Sequence, residues 1–554
     1  MKEITIIIGF ALLIFFALFC IDLWSKHKLK QRIHYAWGKI PEFARNDREE
    51  SLITAWEITK QLQDWDSEID DATWHDLDMQ EIFQQINLTY SSIGSESLYQ
   101  RLRSFQFAQD ELEELIAFFE KQPELREKIQ YQFARLGKLD NNLIKNYLLK
   151  EQTYSSNASF WFYLVIGLLP LLGLLWTAIA PSIGLLLLVG SLCFNTILSM
   201  IKKNSLEREL TSMRYLVNSV YTAKKLQKFP LPNQSQLVAP LTALKSITRV
   251  GFAFKGQGVN EADVIVESLM MCFMIPFISY HFVQRKLRNH KKEALHLWEA
   301  MGDLESALAV LNFRMAIGPT CLPKFKAGGL TAEECYHPLV GDPVPNPVTW
   351  QKNTLISGSN ASGKSTYVKS IAINCILAQT IHTALAESFI MEPGHVLTSM
   401  AVEDNVIEGD SYFIAEIKSI KRLLNKVASQ ERCYCFIDEI LRGTNTVERI
   451  AASASIVHWL QEYNSLAFIA THDIELTEML KNECRNLHFS ERITSEEGIA
   501  FDYLVKEGPT TTRNALRLLE IMDYPSSITI QARKELAAFE KNRSWNVFVM
   551  PNDQ

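Results

Sequence analysis

Hydrophobic residues are concentrated in the first part of the chain, in two long uncharged runs. The run from Ile4 to Ile21 contains no charged residue, and its roughly 18 residues, at about 1.5 Å each, are just enough to cross a bilayer core of about 30 Å. The run from Phe160 to Ile201 is about twice the length that one helix needs, with Pro181 and Gly184 near its middle as a turn signal. This pattern predicts three transmembrane helices, an N-terminal anchor and a helical hairpin.

Each run also has a second interpretation. The N-terminal run has the length of a signal peptide, although no small-x-small cleavage site follows it. The second run is compatible with a buried pair of soluble helices, although about forty residues without a charge rarely suit a water-facing surface. A third apolar run, Leu269 to Tyr280, is shorter and contains Pro276, so we expect a core helix there.

Basic residues flank the two long runs and predict their orientation. They follow the first run, precede the hairpin and follow it: Lys26, Lys28, Lys30, Arg32, Lys145, Lys150, Lys202, Lys203 and Arg208. Basic flanks remain on the cytoplasmic side of a membrane. Three spans with the N-terminus outside place every basic flank on the cytoplasmic side, whereas two spans would not. We therefore expect a multi-pass protein of the cell membrane with its polar regions in the cytoplasm.

Composition and charge limit the classes of partner. The 554 residues are enough for about three or four domains. The net charge of −7 gives the chain no overall attraction to nucleic-acid phosphates, which weakens a DNA-binding role without excluding it. The nine cysteines form no C-x-x-C pair and no zinc-type spacing with histidine. They predict packed thiols in a reducing compartment rather than a metal or redox site.

A glycine-rich motif lies in the last third of the chain. Residues 358–365, Gly-Ser-Asn-Ala-Ser-Gly-Lys-Ser, match G-x-x-x-x-G-K-[ST], and an apolar strand before them and a helix after them fit the motif. Its backbone N–H groups wrap nucleotide phosphates, Lys364 supplies charge to the β- and γ-phosphates, and Ser365 offers a hydroxyl to Mg²⁺. The predicted cofactor-binding residues are Gly358, Ser359, Asn360, Ala361, Ser362, Gly363, Lys364, Ser365 and Thr366.

Two later strands end in acidic residues and a histidine. Residues 433–439, Cys-Tyr-Cys-Phe-Ile-Asp-Glu, predict a buried parallel strand in which Asp438 holds hydrated Mg²⁺ and Glu439 acts as general base. A strand from Leu466 to Ala470 precedes His472, which is placed to sense the γ-phosphate at the same sheet edge. Such a histidine alone is more often structural. Together the motifs predict Lys364, Glu439 and His472 as catalytic residues, and Ser365 and Asp438 as metal ligands.

Several separated segments resemble the MutS family. GSNASGKSTYVKS (358–370) resembles its Walker A motif, FIDEILRGTNT (436–446) its Walker B motif and following loop, and THDIELTEML (471–480) its histidine loop. Residues 410–416 resemble its signature segment, whose Ser or Thr reaches across a dimer to the partner's nucleotide. The resemblance implies an ATPase that uses ATP and Mg²⁺, a homodimer, and Ser411 as a contact to the partner's ATP.

The sequence also departs from the family pattern. LTYSSIGSESLYQRLRSF (88–105) resembles the family's helical core domain, but the uncharged hairpin lies about where the DNA-gripping clamp would be inserted. Fewer than ninety residues precede this segment, and we find no Phe-x-Glu wedge, so we expect the mismatch-binding and connector domains to be missing. Residues 343–347, Pro-Val-Pro-Asn-Pro, lack the aromatic that some members stack on adenine, and the base contact stays unassigned.

The expected fold is an α/β P-loop NTPase domain of ABC/MutS type, with a mostly parallel sheet, C-terminal to an all-α core domain with three transmembrane helices. The expected segments are an anchor (1–25), the helical domain in two parts (26–158 and 202–321), the hairpin (159–201), the ATPase domain (322–542) and a tail (543–554).

Three functions remain open from the sequence. The favoured one is a membrane-anchored ATPase whose ATP binding and hydrolysis drive a conformational switch in a dimer. The alternative is a membrane-tethered DNA-binding protein of mismatch-repair type, which rests on analogy. A scaffold with a vestigial ATPase is less favoured because every catalytic position is filled. An ABC transporter is disfavoured because no LSGGQ-like signature is present.

Overall fold

The computed structural model describes residues 2–548, apart from 42–47, 62, 106–111, 141–142, 150–156, 233, 249–267, 359–361, 401–411, 495–497 and 511–514. The chain divides into two compact units. The first comprises residues 1–66 and 81–318, and the second residues 67–80 and 319–554.

Helices and strands are numbered here along the chain. The helices are α1 Lys2–Ala36, α2 Glu49–Lys60, α3 Asp71–Asp76, α4 Met79–Ile86, α5 Ser92–Arg103, α6 Leu112–Lys121, α7 Pro123–Leu136, α8 Ile144–Leu149, α9 Asn157–Trp176, α10 Pro181–Leu226, α11 Gln234–Leu244, α12 Ile275–Asn289, α13 Lys291–Ala316, α14 Lys364–Ile381, α15 Tyr412–Val427, α16 Thr446–Leu460, α17 Ile474–Met479, α18 Ala515–Ile521 and α19 Ser526–Asn542. The strands are β1 Ser67–Glu68, β2 Ser104–Phe105, β3 Lys324–Phe325, β4 Leu330–Cys335, β5 Asn346–Trp350, β6 Thr354–Ser357, β7 Ser388–Met391, β8 His395–Ser399, β9 Cys433–Asp438, β10 Ser465–Ala470, β11 Arg485–His488, β12 Glu491–Thr494, β13 Gly498–Phe501 and β14 Lys506–Glu507.

The first unit is built from helices that pack around α13. Helix α5 begins after Ser91, whose hydroxyl accepts a hydrogen bond from the N–H of Gly94 and so caps the helix. A methyl group on Gly94 would lie 2.6 Å from the side chain of Glu305 on α13. Gly302, one turn away, would meet Ser97 in the same manner, at 2.5 Å. These two glycines therefore allow α5 and α13 to approach closely.

Helices α9 and α10 form the predicted hairpin, joined by a short turn before Pro181. Gly184 lies against the backbone of Thr177, where an added Cβ would be only 2.3 Å away, so the turn requires a glycine. Within the described residues, 158–176 and part of 181–226 are the two helices long and apolar enough to cross a membrane. Their apolar windows are 28% and 17% buried, so most of these apolar side chains have no protein neighbour to cover them.

The predicted N-terminal span lies in helix α1, which is continuous from Lys2 to Ala36. The side chains of residues 2–15, 18 and 19 lie outside the described part of the structure. The N-terminal transmembrane span therefore stays a prediction.

The third apolar run is not one helix. Its residues 268–272 are helical, the chain turns at Met274, which has a φ of 55°, and α12 then begins at Ile275 with Pro276 in its first turn. Proline lacks an N–H and fits the start of a helix better than its interior. The prediction of a core helix holds only for the second piece, where Phe277 is buried and stacks on Tyr163 of the hairpin at 5.3 Å.

The second unit contains two main sheets. The larger has six strands in the order β14-β11-β6-β10-β9-β8, all parallel except β14. Every residue of β6 and β10 is buried, as expected for a parallel sheet covered on both faces. The smaller, mixed sheet has the order β3-β7-β4-β5, and the sequence analysis did not anticipate it.

Residues 67–80 belong to the second unit, although the sequence analysis assigned all of 26–158 to the helical domain. Asp76 accepts hydrogen bonds from the hydroxyl of Thr398 at 2.6 Å and the N–H of Met400 at 2.9 Å. Ser67 lies 2.6 Å from Nδ1 of His395. This segment thus covers the edge strand β8, and its polar sequence alone does not indicate where it packs.

Candidate nucleotide site

The phosphate-loop motif connects β6 to α14 at the carboxyl edge of the larger sheet. Gly358 and Gly363 have φ values of 147° and 100°, which residues other than glycine rarely adopt. Lys364 begins α14, and its Nζ donates to the carbonyl of Gly358 at 2.7 Å. The predicted contacts Ser359, Asn360 and Ala361 lie outside the described residues, whereas Ser362 and Thr366 are described, and Thr366 lines the cavity beside the loop.

Strand β9 brings an acidic side chain to the same edge. Residue Asp438 pairs in parallel register with Ala470 of β10, which in turn pairs with Ile356 of β6. The hydroxyl of Ser365 donates to Oδ2 of Asp438 at 2.8 Å. A hydroxyl and a carboxylate oxygen at this separation fit Mg²⁺, which prefers oxygen ligands and is usually bound by one or two protein groups with substrate phosphates.

Glu439 follows Asp438 and is held from three sides. It has a φ of 60°, and its N–H donates to the carbonyl of Ala470 at 3.0 Å. Oε1 lies 3.1 Å from Nε2 of His472, and Oε2 accepts a hydrogen bond from Nε of Arg442. Burial raises the pKa of Glu439, but the hydrogen bonds from His472 and Arg442 outweigh it and bring the pKa to about 2. The carboxylate is therefore ionised at neutral pH.

The electrostatics of Lys364 suit an anionic ligand. Burial lowers the pKa of this ammonium group, while Asp438 and Glu439 oppose the effect. A phosphate beside Lys364 would favour the charged form further. The site thus combines one buried cation with two carboxylates at strand ends.

A cavity of about 520 Å³ opens beside the loop and supplies a residue that the sequence analysis missed. Tyr503 and Phe489 form aromatic walls of this cavity. The ring of Tyr503 lies over Gly363, where an added Cβ would be 3.1 Å from it. Asn346 holds the backbone on either side of Leu504, since its amide group donates to the carbonyl of Tyr503 at 2.9 Å and accepts from the N–H of Val505 at 2.8 Å.

The sequence-predicted residues separate into two groups, those that the structure brings together and those that lie outside the described residues. Lys364, Ser365, Asp438, Glu439 and His472 come together at the ends of β6, β9 and β10. Ser411 lies outside the described residues. Residues 343–347, in which the missing aromatic was noted, do line the cavity in part, but Tyr503 arrives from a segment about 160 residues later. The signal in the sequence that could have identified Tyr503 is its position as an aromatic residue just after a strand late in the chain.

Comparisons with known proteins agree with this geometry. Residues 354–540 match the family model of MutS domain V. The chain is 26% identical over 274 residues to the DNA mismatch repair protein MutS of Natronomonas pharaonis, a match that covers 46% of this chain and 32% of that protein. It is 29% identical over 269 residues to MutS protein homolog 4 of Homo sapiens, covering 45% of this chain and 28% of that protein.

The matched part therefore spans about a third or less of the length of these curated relatives. The sheet, the strand-end residues and the domain match define the second unit as a domain of ATPase type. Residues 354–540 are thus similar to MutS domain V, and the similarity to the two MutS proteins covers less than half of this chain.

Proposed function

We propose that this protein is a membrane-anchored MutS-like ATPase in which binding and hydrolysis of ATP switch the conformation of a homodimer. One observation carries the ATPase part. The side chains of Ser365, Asp438 and Glu439 meet beside Lys364 at the ends of adjacent parallel strands. This is the arrangement of a P-loop nucleoside triphosphatase, which needs phosphate, metal and water contacts at one point.

Each residue has a role in this proposal. Lys364 contacts the β- and γ-phosphates, and Ser365 and Asp438 hold Mg²⁺, which when bound offsets the negative charge of the phosphates. Glu439 accepts the proton of the attacking water, and His472, 3.1 Å from its carboxylate, orients it. The aromatic ring of Tyr503 forms the surface on which the adenine base of ATP stacks.

Substitution of the general base tests the ATPase. We expect Glu439→Gln to lower kcat by about 100-fold or more, because a general base contributes about 10²- to 10⁴-fold, while ATP affinity changes little. Steady-state hydrolysis and binding of an ATP analogue measure the two quantities. Glu431→Gln is the control, since this exposed carboxylate pairs with Lys426 and His395 where β8 and β9 begin, at the opposite edge of the sheet from Glu439. An unchanged kcat in Glu439→Gln would refute the assignment.

The uncovered apolar hairpin supports the membrane part of the proposal. Helices α9 and α10 expose large apolar side chains, among them Leu172 and Leu186, which are 52% and 77% exposed. A lipid bilayer is the environment that removes such a surface from water. In this proposal the hairpin stands where related proteins carry a DNA-gripping clamp, so the ATPase acts on a membrane-bound process.

A second candidate is DNA binding, favoured by the similarity to the DNA mismatch repair protein MutS of Natronomonas pharaonis. The net charge of −7 argues against strong non-specific attraction to phosphates. Binding of duplex and mismatched DNA at about 50 mM salt distinguishes the two. An affinity that falls as salt rises supports this candidate, and no binding at low salt removes it.

A further inference from the structure

Helix α15 carries a buried carboxylate that the catalytic roles do not use. Glu416 is 4% exposed and faces the loop that follows β9. Its Oε1 accepts a hydrogen bond from the N–H of Arg442 at 2.8 Å, and its Oε2 accepts one from the N–H of Gly443 at 3.1 Å. Two consecutive backbone N–H groups thus converge on one carboxylate, which fixes this part of the loop relative to α15.

The loop held in this manner also holds Glu439. Arg442 donates from Nε to Oε2 of Glu439, and its own backbone N–H is one of the two that Glu416 accepts. Glu439 and Leu441 both have positive φ values, 60° and 58°. Residues with side chains rarely adopt this conformation, so it persists only where the surroundings impose it. Glu416 restrains the next two residues, Arg442 and Gly443, by accepting hydrogen bonds from their N–H groups.

We propose that Glu416 is a positioning residue for ATP hydrolysis, which fixes Arg442 and through it the carboxylate of Glu439. The inference rests on the proposed ATPase function. Its consequence is that the position of α15 is passed to the general base by two hydrogen bonds and one ion pair. A shift of α15 displaces Arg442 and changes how Glu439 is held.

Burial of a carboxylate at this position lowers the stability of the fold unless hydrogen bonds and nearby positive charge offset the lost hydration. A buried charge loses its hydration, and an apolar side chain would fill the same volume at lower cost. Arg449, which is paired with Asp473, lies close enough for its charge to interact with both Glu416 and Glu439. The positive charge of Arg449 therefore acts on both carboxylates.

Kinetics of the full-length protein test the proposal. We expect Glu416→Ala to lower kcat about tenfold or more, because small displacements of a catalytic group are costly. Glu416→Gln keeps one acceptor and should lower kcat less. KM for ATP, and the affinity and number of sites for a non-hydrolysable ATP analogue, should stay within about twofold of the unsubstituted protein. Among the described residues, Glu416 makes its hydrogen bonds to Arg442 and Gly443 and none to the phosphate loop.

The route through Arg442 is tested by combining substitutions. Arg442→Ala should lower kcat, and Glu416→Gln in that background should have no further effect, because both changes remove the same link. Glu305→Gln is the matched control. Glu305 is also buried and also accepts two consecutive backbone N–H groups, from Tyr90 and Ser91, but it lies in the helical unit. The kcat of the Glu305→Gln variant should equal that of the unsubstituted protein.

The outcomes separate this inference from the proposed function. Independent effects of Glu416→Gln and Arg442→Ala, or a loss of analogue binding in parallel with kcat, refute the positioning role. An unchanged kcat in Glu416→Ala refutes it as well. If the unsubstituted protein binds but does not hydrolyse ATP, the proposed function fails instead. If Glu416→Ala does not fold, the Gln variant and the double substitution still decide.

Discussion

In the proposed function, single residues around the phosphate loop divide into those that bind phosphate and metal and one that contacts the adenine base. Ser365 and Asp438 face each other at 2.8 Å, on the metal side. Tyr503 lies on the other side, against Gly363. Its place is fixed by the backbone contacts of Asn346, which is buried. The ring is thus available as a fixed surface for an aromatic base.

Removal of this ring should weaken ATP binding. Stacking of a base on an aromatic side chain contributes about 1–3 kcal/mol, so we expect Tyr503→Ala to raise KM for ATP by about fivefold or more with kcat changed little. Tyr503→Phe keeps the ring and serves as the control. Steady-state hydrolysis over a range of ATP concentrations gives both constants. A normal KM for Tyr503→Ala would show that the base packs elsewhere.

These residues also show what the sequence could and could not predict. Lys364, Ser365, Asp438 and Glu439 lie within short motifs whose spacing follows from one loop or one strand end. The spacing alone was enough to select them. Tyr503 reaches the site through contacts between segments far apart in the chain and belongs to no pattern of its own. Glu416 ends the segment 410–416, but the resemblance of that segment gives a role only to its serine. Their roles depend on side-chain packing that no local spacing encodes.

Among the elements, α5 and α13 of the helical unit are joined by a buried carboxylate. Glu305 of α13 accepts hydrogen bonds from the N–H groups of Tyr90 and Ser91, just before α5, and from the hydroxyl of Ser91. Burial raises the pKa of Glu305 to about 7, although these hydrogen bonds lower it in part. The packing of two helices is therefore linked to the protonation of one group.

This link predicts a pH dependence of stability. Between its ordinary pKa of 4.5 and about 7, Glu305 keeps its proton in the folded chain and loses it in the unfolded chain. The folded state binds more protons, so the contribution of Glu305 to stability is greatest below pH 4.5 and decreases as pH rises through 7. We expect Glu305→Gln to remove a pH-dependent part of the free energy of unfolding on the order of 3 kcal/mol.

Thermal unfolding of the two proteins between pH 5 and 8 measures this effect. The Tm of the unsubstituted protein, relative to that of Glu305→Gln, should fall with increasing pH. Glu124→Gln, which changes an exposed carboxylate of α7, should leave the pH dependence as it is. A constant difference between the first two proteins would contradict the shifted pKa.

Element boundaries were predicted unevenly, for physical reasons. The hairpin turn before Pro181 follows from proline and glycine signals within one segment, and the structure has it there. The segment 67–80 was placed with the wrong unit, because its partners on β8 lie more than 300 residues later. Local sequence determines where a helix begins, but it does not indicate which sheet edge a polar segment will cover.

On the scale of the whole molecule, the proposal assigns each end of the hairpin to a side of the membrane. The turn near Ala178 lies outside, and the helical unit, including α7, lies in the cytoplasm, because basic residues flank the outer ends of α9 and the apolar part of α10. Accessibility to a water-soluble maleimide in intact cells tests this arrangement, with cysteine introduced at Ala178 or at Lys128, which are both exposed.

We expect Ala178→Cys to react in intact cells and Lys128→Cys to react only after the membrane is permeabilised. The background for both is a protein in which the exposed Cys20 and Cys193 are serine. Reaction of both positions from the same side would make the three-span topology wrong. If both positions react in a soluble fraction without detergent, the apolar surface of the hairpin is covered by protein rather than lipid. The membrane part of the proposal then fails, whereas the ATPase part is tested separately by the hydrolysis kinetics.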